Sequence, residues 1–192
     1  MADSRWKNFV KKLNPYMIKK GILYLKHFGF KEFMVRLSDR IEPEEVPYGP
    51  WYEKHRASDE ELERQRKHPL PRQPLISIAV PIYKTPERFL REMIESVQAQ
   101  TYSRWELCLA DGSPEDESMN RVLREFVKKD SRIRVRRMKE NLGIVENTNA
   151  ALAMAKGEFV GFLDHDDLLA PDALYELAKC LQKENPPEFL YT

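Results

Sequence analysis

Residues 141–167 read NLGIVENTNAALAMAKGEFVGFLDHDD, and this stretch contains both signals that decide the fold. The alanine-rich part, 141–157, predicts a helix that Gly157 ends, because glycine is common just past a helix. The apolar run 158–164 predicts a buried strand, and further acidic residues follow it at once. A helix that leads directly into an apolar strand is typical of α/β proteins, in which helices cover a parallel sheet.

The same alternation continues on both sides of this stretch. The predicted elements are strands over 75–83, 105–111 and 131–138 and helices over 85–100 and 115–129. Thr85 is the expected N-cap of the first helix. Pro171 is expected to open another helix, and PEFLYT (187–192) to begin a fifth strand. Four successive β-α units predict an α/β fold with a mostly parallel sheet.

The residues before the first strand differ in composition from the rest. Residues 1–40 hold ten Lys or Arg against three acidic residues. Their apolar pattern is helical, and Pro15 and Gly21 are expected to break it into two short helices. Residues 41–74 are rich in proline and charge, which indicates a linker or an arm packed on the domain. The domain itself is expected over 75–192.

The net charge of +1 conceals this division, since the basic residues are concentrated in 1–40 and the later part of the chain is acidic. A nucleic-acid-binding fold is basic over its folded part, so we expect no nucleic-acid partner. No apolar run approaches the roughly 18 residues of a membrane-spanning helix. Two cysteines are too few for a disulfide framework or a CxxC metal site. We therefore expect a cytoplasmic chain.

Polar and acidic side chains follow the predicted strands, where ligands bind in a parallel sheet. The strand ends are residues 81–83, Asp111 and the acidic stretch 164–167. Carboxylates beside apolar strands are costly unless a cation or hydrogen-bond donors satisfy them. Oxygen ligands suit Mg²⁺ or Mn²⁺ shared with the phosphates of a substrate. The alternative is that Asp164 and Asp166 only cap the next helix. A helix cap needs fewer acidic residues than the stretch DHDD contains.

Other phosphate-handling motifs fit this sequence less well. The glycine fingerprints of dinucleotide-binding and P-loop proteins are absent. The pattern Asp164-x-Asp166, a DxD motif, resembles the motif of haloacid-dehalogenase-type phosphatases only locally. In those enzymes the motif opens the fold, whereas here it follows the fourth strand. A response-regulator receiver has an acidic pair after its first strand, where this chain has Pro81-Ile82.

The order of these segments resembles the family 2 glycosyltransferases with the GT-A fold. The resemblance covers roughly residues 74–192. It rests on ISIAVPIY (76–83), SVQAQTY (96–102), WELCLADGS (105–113) and the stretch 141–167 with Pro171 beyond it. Each segment is a weak signal alone, whereas the four in this order and spacing are specific.

The resemblance implies roles for individual residues. It implies that Pro81-Ile82-Tyr83 packs against the nucleotide base, and that Asp111 accepts a hydrogen bond from the imide of uracil or thymine. It implies that Asp164 contacts the ribose region and that Asp166, with Asp164, holds Mn²⁺ or Mg²⁺ at the diphosphate. Three more positions match a signature that lines the same pocket, although ordinary caps at a helix N-terminus would also explain them: Asn141, Gly143 and Asn149.

The resemblance also implies the reaction. A UDP- or dTDP-sugar would donate its sugar, with inversion, to a glycan or lipid-linked acceptor. Inverting transfer needs a carboxylate base, which the family carries after its fifth strand, so we expect the base beyond Thr192 and the chain to be a catalytically incomplete fragment. Asp167, His165 and Asp172 are poor substitutes, since they lie beside the metal or on the donor side.

The expected setting is polysaccharide or cell-envelope synthesis at the inner face of the plasma membrane. Residues 1–40 are expected either to lie on the membrane or to pack on the domain or a partner subunit. Two other functions stay open at this point. One is a non-catalytic module that binds a sugar nucleotide, and the more remote one is a phosphatase of the haloacid-dehalogenase type.

Overall fold

A computed structural model of the chain describes residues 14–40 and 47–190. The helical pattern expected over residues 1–13 lies outside these residues, as do the last two residues of PEFLYT. Contacts divide the chain into two compact units, Met1–Arg56 and Ala57–Thr192. The boundary falls within the segment for which we predicted a linker or a packed arm.

The first unit contains helices α1 (Pro15–Arg40) and α2 (Tyr48–His55). Helix α1 consists of two helical pieces that meet at Gly29, where φ is 78° and ψ is 170°. The break expected at Gly21 is therefore wrong. A single glycine costs a helix only about 1 kcal/mol, and Gly21 lies inside α1, where a Cβ would sit 3.5 Å from the ring of Phe33.

The second unit begins with helix α3 (Asp59–Lys67). The buried side chain of Gln65 accepts a hydrogen bond of 2.6 Å from the hydroxyl of Thr101. The hydroxyl of Tyr102 donates to the carbonyl of Pro74 at 2.6 Å. The residues just before the first strand are therefore packed on the domain.

Four strands form a single parallel sheet in this unit. They are β1 (Ile76–Ile82), β2 (Trp105–Asp111), β3 (Ile133–Arg137) and β4 (Phe159–Phe162). Their order is β3-β2-β1-β4, so the chain runs outward from β1 to β3 and then returns to the other side of β1. This arrangement confirms the predicted α/β fold with a parallel sheet.

A helix follows each strand in the predicted order, although the helix that Pro171 was expected to open begins at Ala173. These helices are α4 (Glu87–Gln98), α5 (Glu117–Lys129), α6 (Ile144–Leu152) and, after β4, α7 (Ala173–Cys180). Thr85 is not the N-cap of α4. Pro86 takes that position, because the side chain of Thr85 is buried instead of facing the N–H groups of the helix.

The predicted fifth strand is not formed over its described residues, 187–190. Pro187 supplies no N–H group for a ladder, and neither does Pro186 just before it, so the segment begins without a donor that a strand needs. Phe189 in this segment is 80 % exposed. The apolar composition of PEFLYT was therefore a misleading signal.

The sheet is covered differently on its two faces. On one face, alternate residues of β1 such as Ile78 and Val80 pack in a large apolar cluster with side chains of α4, α5 and α7. On the other face, Ala79 and Ala110 meet Ala150 and Ala151 of α6. Because all four side chains are small, α6 lies close to the sheet, and its N-terminus is held near the strand ends.

The prediction that Gly157 ends α6 is wrong, because that helix stops at Leu152. Gly157 is instead the point where the chain crosses the start of β1. A Cβ at Gly157 would lie 2.6 Å from the carbonyl oxygen of Leu75 and 2.7 Å from the nitrogen of Ser77. The N–H of Gly157 donates to the Ser77 hydroxyl at 2.8 Å. The glycine is thus required by a close approach of two backbones.

We predict that Gly157→Ala destabilises the protein by about 1–3 kcal/mol, because backbone atoms of β1 would have to move to admit the methyl group. Thermal or urea unfolding measures this change. Gly161→Ala in β4 is the matched control, since a Cβ there has no neighbour within 4 Å. Equal stability of the Gly157 variant and the parent chain would contradict the assignment.

Candidate functional site

The register of the sheet brings three strand ends to one level. Ile82 pairs with Asp111, and Asp111 pairs with Arg137, so β1, β2 and β3 end side by side. The order of the strands reverses between β1 and β4. In open α/β sheets this reversal point is where ligands bind, at the carboxyl ends of the strands. The candidate site therefore lies at this edge.

Asp111 is the most unusual residue at this edge, because its side chain is fully buried. Its Oδ1 accepts a hydrogen bond of 2.8 Å from the N–H of Ser113. Its Oδ2 has no hydrogen-bond partner among the described residues. Burial raises the pKa of the Asp111 carboxyl, and the Ser113 N–H and the charge of Arg137 offset that rise only in part. A buried acceptor without a partner is costly unless a ligand supplies the donor.

Backbone hydrogen bonds join the loops after β1 and β2. The N–H of Gly112 donates to the carbonyl of Ile82 at 2.9 Å. The N–H of Lys84 donates to the hydroxyl of the buried Ser113 at 2.8 Å. Lys84 has a φ of 47°, in the left-handed region that residues other than glycine seldom adopt. The first loop is therefore held in a strained shape, a feature common at binding sites.

The loop before α6 is attached to the same strand end through Asn147. The Asn147 side chain is buried, and its Nδ2 donates to Oδ1 of Asn141 at 3.0 Å. The same oxygen of Asn141 accepts from the N–H of Gly143 at 3.0 Å. A Cβ on Gly112 would lie 2.6 Å from Nδ2 of Asn147, so this amide packs directly on the backbone that follows Asp111.

Asn147 was missed by the sequence analysis. Its Oδ1 has no hydrogen-bond partner among the described residues, so it is a second buried acceptor at this edge. The signal that could have found it is its spacing from Ala150 and Ala151, which places a polar side chain on the buried face of α6. Asn149, which we did select, is exposed.

The acidic stretch lies just past β4. The N–H of Leu163 donates to the carbonyl of Ala79, so the chain still follows β1 immediately before Asp164. Asp164 is exposed, and the side chain of Asp166 is 60 % exposed. No Lys or Arg of the described chain pairs with either carboxylate, and the ring nitrogen Nδ1 of His165 lies 3.9 Å from Oδ1 of Asp166.

These two carboxylates fit a divalent cation only as part of its ligand set. Within residues 14–40 and 47–190, no group of three or more His, Cys, Asp or Glu is placed to hold a metal ion. Two exposed carboxylates leave room for water and phosphate oxygens, the ligands that Mg²⁺ usually keeps. The residues therefore suit a metal that arrives with a phosphate ligand, and they do not form an all-protein metal site.

The three residues of the segment Pro81-Ile82-Tyr83 differ in how deeply they are buried. Tyr83 is 40 % exposed and Pro81 is partly exposed, so both can contact a ligand. The side chain of Ile82 is fully buried in the core. Its backbone carbonyl faces the neighbouring loop, where it accepts the hydrogen bond from the N–H of Gly112. Burial therefore removes the side chain of Ile82 from the expected base contact, and for Pro81 and Tyr83 that contact stays a prediction.

A profile of the family described as Glycosyl transferase family 2 matches residues 77–187, which is more than half of the chain. The chain belongs to glycosyltransferase family 2. O-antigen biosynthesis protein RfbC of Myxococcus xanthus is 39 % identical over 64 % of this chain and 10 % of its own length. The putative teichuronic acid biosynthesis glycosyltransferase TuaG of Bacillus subtilis is 34 % identical over 53 % of this chain and 39 % of its own length. The chain thus spans well under half of these two relatives.

Solved structures of glycosyltransferases share this fold, which confirms the GT-A prediction. S. aureus TarS in complex with UDP aligns over 56 % of this family 2 chain and 32 % of its own chain, at 27 % identity and a TM-score of 0.51. The mannosyltransferase PcManGT of Pyrobaculum calidifontis, in complex with GDP-Man and Mn²⁺, aligns over 64 % of this chain and 38 % of its own, with a TM-score of 0.53. At 22 % identity the second likeness supports the fold alone.

We predict that Asp111→Asn raises the melting temperature at neutral pH. Burial places the pKa of the Asp111 carboxyl in the folded protein above its value in the unfolded chain. Ionisation of this carboxyl therefore lowers the free energy of unfolding at pH values above the folded pKa, and it has no such effect at pH values below the unfolded pKa. The melting temperature should rise by about 2–4 °C for each kcal/mol of unfolding free energy that the substitution restores. This rise should become smaller as the pH falls toward the pKa of an ordinary carboxyl group. Thermal melts over a pH series measure it.

Glu184→Gln is the control for this series, because Glu184 is exposed and pairs with no described cation. It should leave the melting temperature unchanged across the same pH range. A stabilisation by Asp111→Asn that persists undiminished at low pH would show that ionisation of Asp111 is not its cause.

Proposed function

We propose that this chain is the donor-binding part of an enzyme that transfers a sugar from a UDP- or dTDP-sugar to a glycan or lipid-linked acceptor, with inversion at the sugar carbon. The observation that carries the proposal is the fully buried Asp111 at the sheet edge, one of whose carboxylate oxygens has no hydrogen-bond partner within residues 14–40 and 47–190. Uracil and thymine present an imide N–H that would satisfy this oxygen. The likeness to TarS, solved with UDP and with UDP-GlcNAc, supports the same class of donor.

The surrounding residues supply the other parts of a nucleotide site. Tyr83 and Pro81 border the edge beside Asp111 and offer an exposed ring and an apolar surface for the base. Asn147 holds the loop 141–143 against Gly112, which keeps the wall of the site in place. These contacts orient the base, and they carry no step of the transfer itself.

Asp164 and Asp166 would hold Mg²⁺ or Mn²⁺ together with the diphosphate of the donor. When bound, such a cation supplies Lewis-acid stabilisation for the negative charge on the departing nucleoside diphosphate. Their exposure and their lack of a Lys or Arg partner among the described residues suit this role. We assign no catalytic base among residues 14–40 and 47–190.

The setting that we propose is the synthesis of a surface polysaccharide. RfbC and TuaG are named for O-antigen and teichuronic acid biosynthesis, respectively. The described chain contains no helix that is both long enough and apolar enough to span a bilayer.

We predict that UDP binds at least about tenfold more tightly than CDP. Cytosine has no imide N–H for Asp111, and leaving a buried acceptor unpaired costs about 1–3 kcal/mol. In Asp111→Asn the amide can donate to cytosine as well as accept from uracil, so the ratio of the two affinities should fall to about one. Calorimetric titration of the 192-residue chain with each nucleotide in the presence of Mn²⁺ measures both ratios.

Glu184→Gln again serves as the control and should keep the preference of the parent chain for UDP. Equal affinity of the parent chain for UDP and CDP would remove Asp111 from the base site. Binding of neither nucleotide would contradict the proposed function as a whole.

A further inference from the structure

The described part of the first unit, residues 14–40 and 47–56, exposes many large apolar side chains. The two pieces of α1 touch through Phe33, which lies against Gly21, and through Arg36, whose guanidinium lies 4.7 Å from the centre of the Tyr24 ring. Nine large apolar side chains of residues 14–37 nevertheless stay exposed: Tyr16, Ile18, Ile22, Leu23, Leu25, Phe28, Phe30, Met34 and Val35. We call these residues, with the lysines between them, the α1 surface.

A groove opens between the two pieces of α1. Its volume is about 340 Å³, within the range of small-molecule sites. Its lining is mostly apolar, with Ile18, Ile22 and Leu37 among the contributing side chains, and it includes the cations Lys20 and Arg36. Apolar walls with cationic groups beside them match an amphiphile that carries a negative head group.

The charge of this surface is unbalanced. Residues 14–37 contain five basic residues and one acidic residue, Glu32. None of the four lysines in this range forms an ion pair with a carboxylate of the described chain. Other cations of the chain are paired, as Arg91 is with both Glu87 and Glu125. The cations of the α1 surface are therefore available to an external anionic partner.

We propose that the α1 surface binds an anionic lipid bilayer, with its apolar side chains at the acyl boundary and its lysines at the head groups. Exposed apolar side chains can enter the acyl boundary of a bilayer, and lysines near its surface are attracted to anionic head groups. A nucleic acid would use the cations and leave the apolar side chains in water. A second copy would bring like charges together. The proposal is independent of the nucleotide site.

Co-sedimentation of the 192-residue chain with vesicles tests this proposal. The chain should bind vesicles of phosphatidylglycerol and phosphatidylcholine about tenfold or more tightly than vesicles of phosphatidylcholine alone. Added salt should weaken the binding, because it screens the head groups. Replacing four lysines by glutamine should remove most of the preference: Lys19, Lys20, Lys26 and Lys31.

The matched control removes the same charge from four exposed residues of the second unit that form no ion pair with described residues, by substitution with glutamine: Arg104, Lys128, Arg136 and Lys183. This variant should bind anionic vesicles as the parent chain does. Replacing Leu23 and Phe30 by serine should weaken binding to both kinds of vesicle, since it removes apolar contact without changing charge. Circular dichroism verifies that each variant is folded.

Three results would overturn the proposal. The first is equal or absent binding of the parent chain to both kinds of vesicle. The second is an equal loss of binding in the two glutamine variants, which would assign the effect to net charge. The third is a lipid-free dimer, detected by light scattering, that the Leu23 and Phe30 substitutions dissociate, because a second copy would then cover this surface.

Discussion

The parallel pairing of β1 with β2 is the constraint on which the candidate site depends. It runs in unbroken register from Ile76 opposite Trp105 to Ile82 opposite Asp111, so both strands end at the same level. A shift of one residue would turn every side chain of β2 to the other face. The register thus places the Asp111 carboxyl at the edge, and the bond from Gly112 to Ile82 extends the pairing into the loops.

This edge carries two buried acceptors that find no hydrogen-bond partner among the described residues, Oδ2 of Asp111 and Oδ1 of Asn147. Such groups lower stability, and the apolar cluster beneath the sheet and the close packing of α6 make that loss tolerable. Natural proteins depart from full polar satisfaction chiefly at functional sites. A base with N–H donors would bind here by completing hydrogen bonds that the protein cannot complete alone, which gives selectivity as well as affinity.

The sequence predicted the first four strands well, because long apolar runs such as WELCLAD are typical of buried strands, whereas the shorter run PEFLYT was misleading. It predicted helix ends and glycine roles poorly. Gly157 is required by a close approach to β1, a tertiary contact with no local signature, and Gly29, not Gly21, kinks α1. Asn147 has a local signal, its spacing from Ala150 and Ala151, but only the packed structure shows that it lies against Gly112. Local patterns thus pointed to the strand ends as a candidate site, and the contact between Asn147 and Gly112 became visible only in the packed structure.

The central claim is that the strand ends, the loop before α6 and the acidic stretch form one nucleotide site. Amide NMR spectra of the 192-residue chain, recorded with UDP and then with UDP and Mn²⁺, test it most directly. The account predicts UDP-dependent shifts at residues 81–84, 111–113 and 141–147, and paramagnetic broadening by Mn²⁺ centred on 164–167 that reaches 111–113 only when UDP is present. Broadening at the acidic stretch with no UDP-dependent change at 111–113 would contradict it.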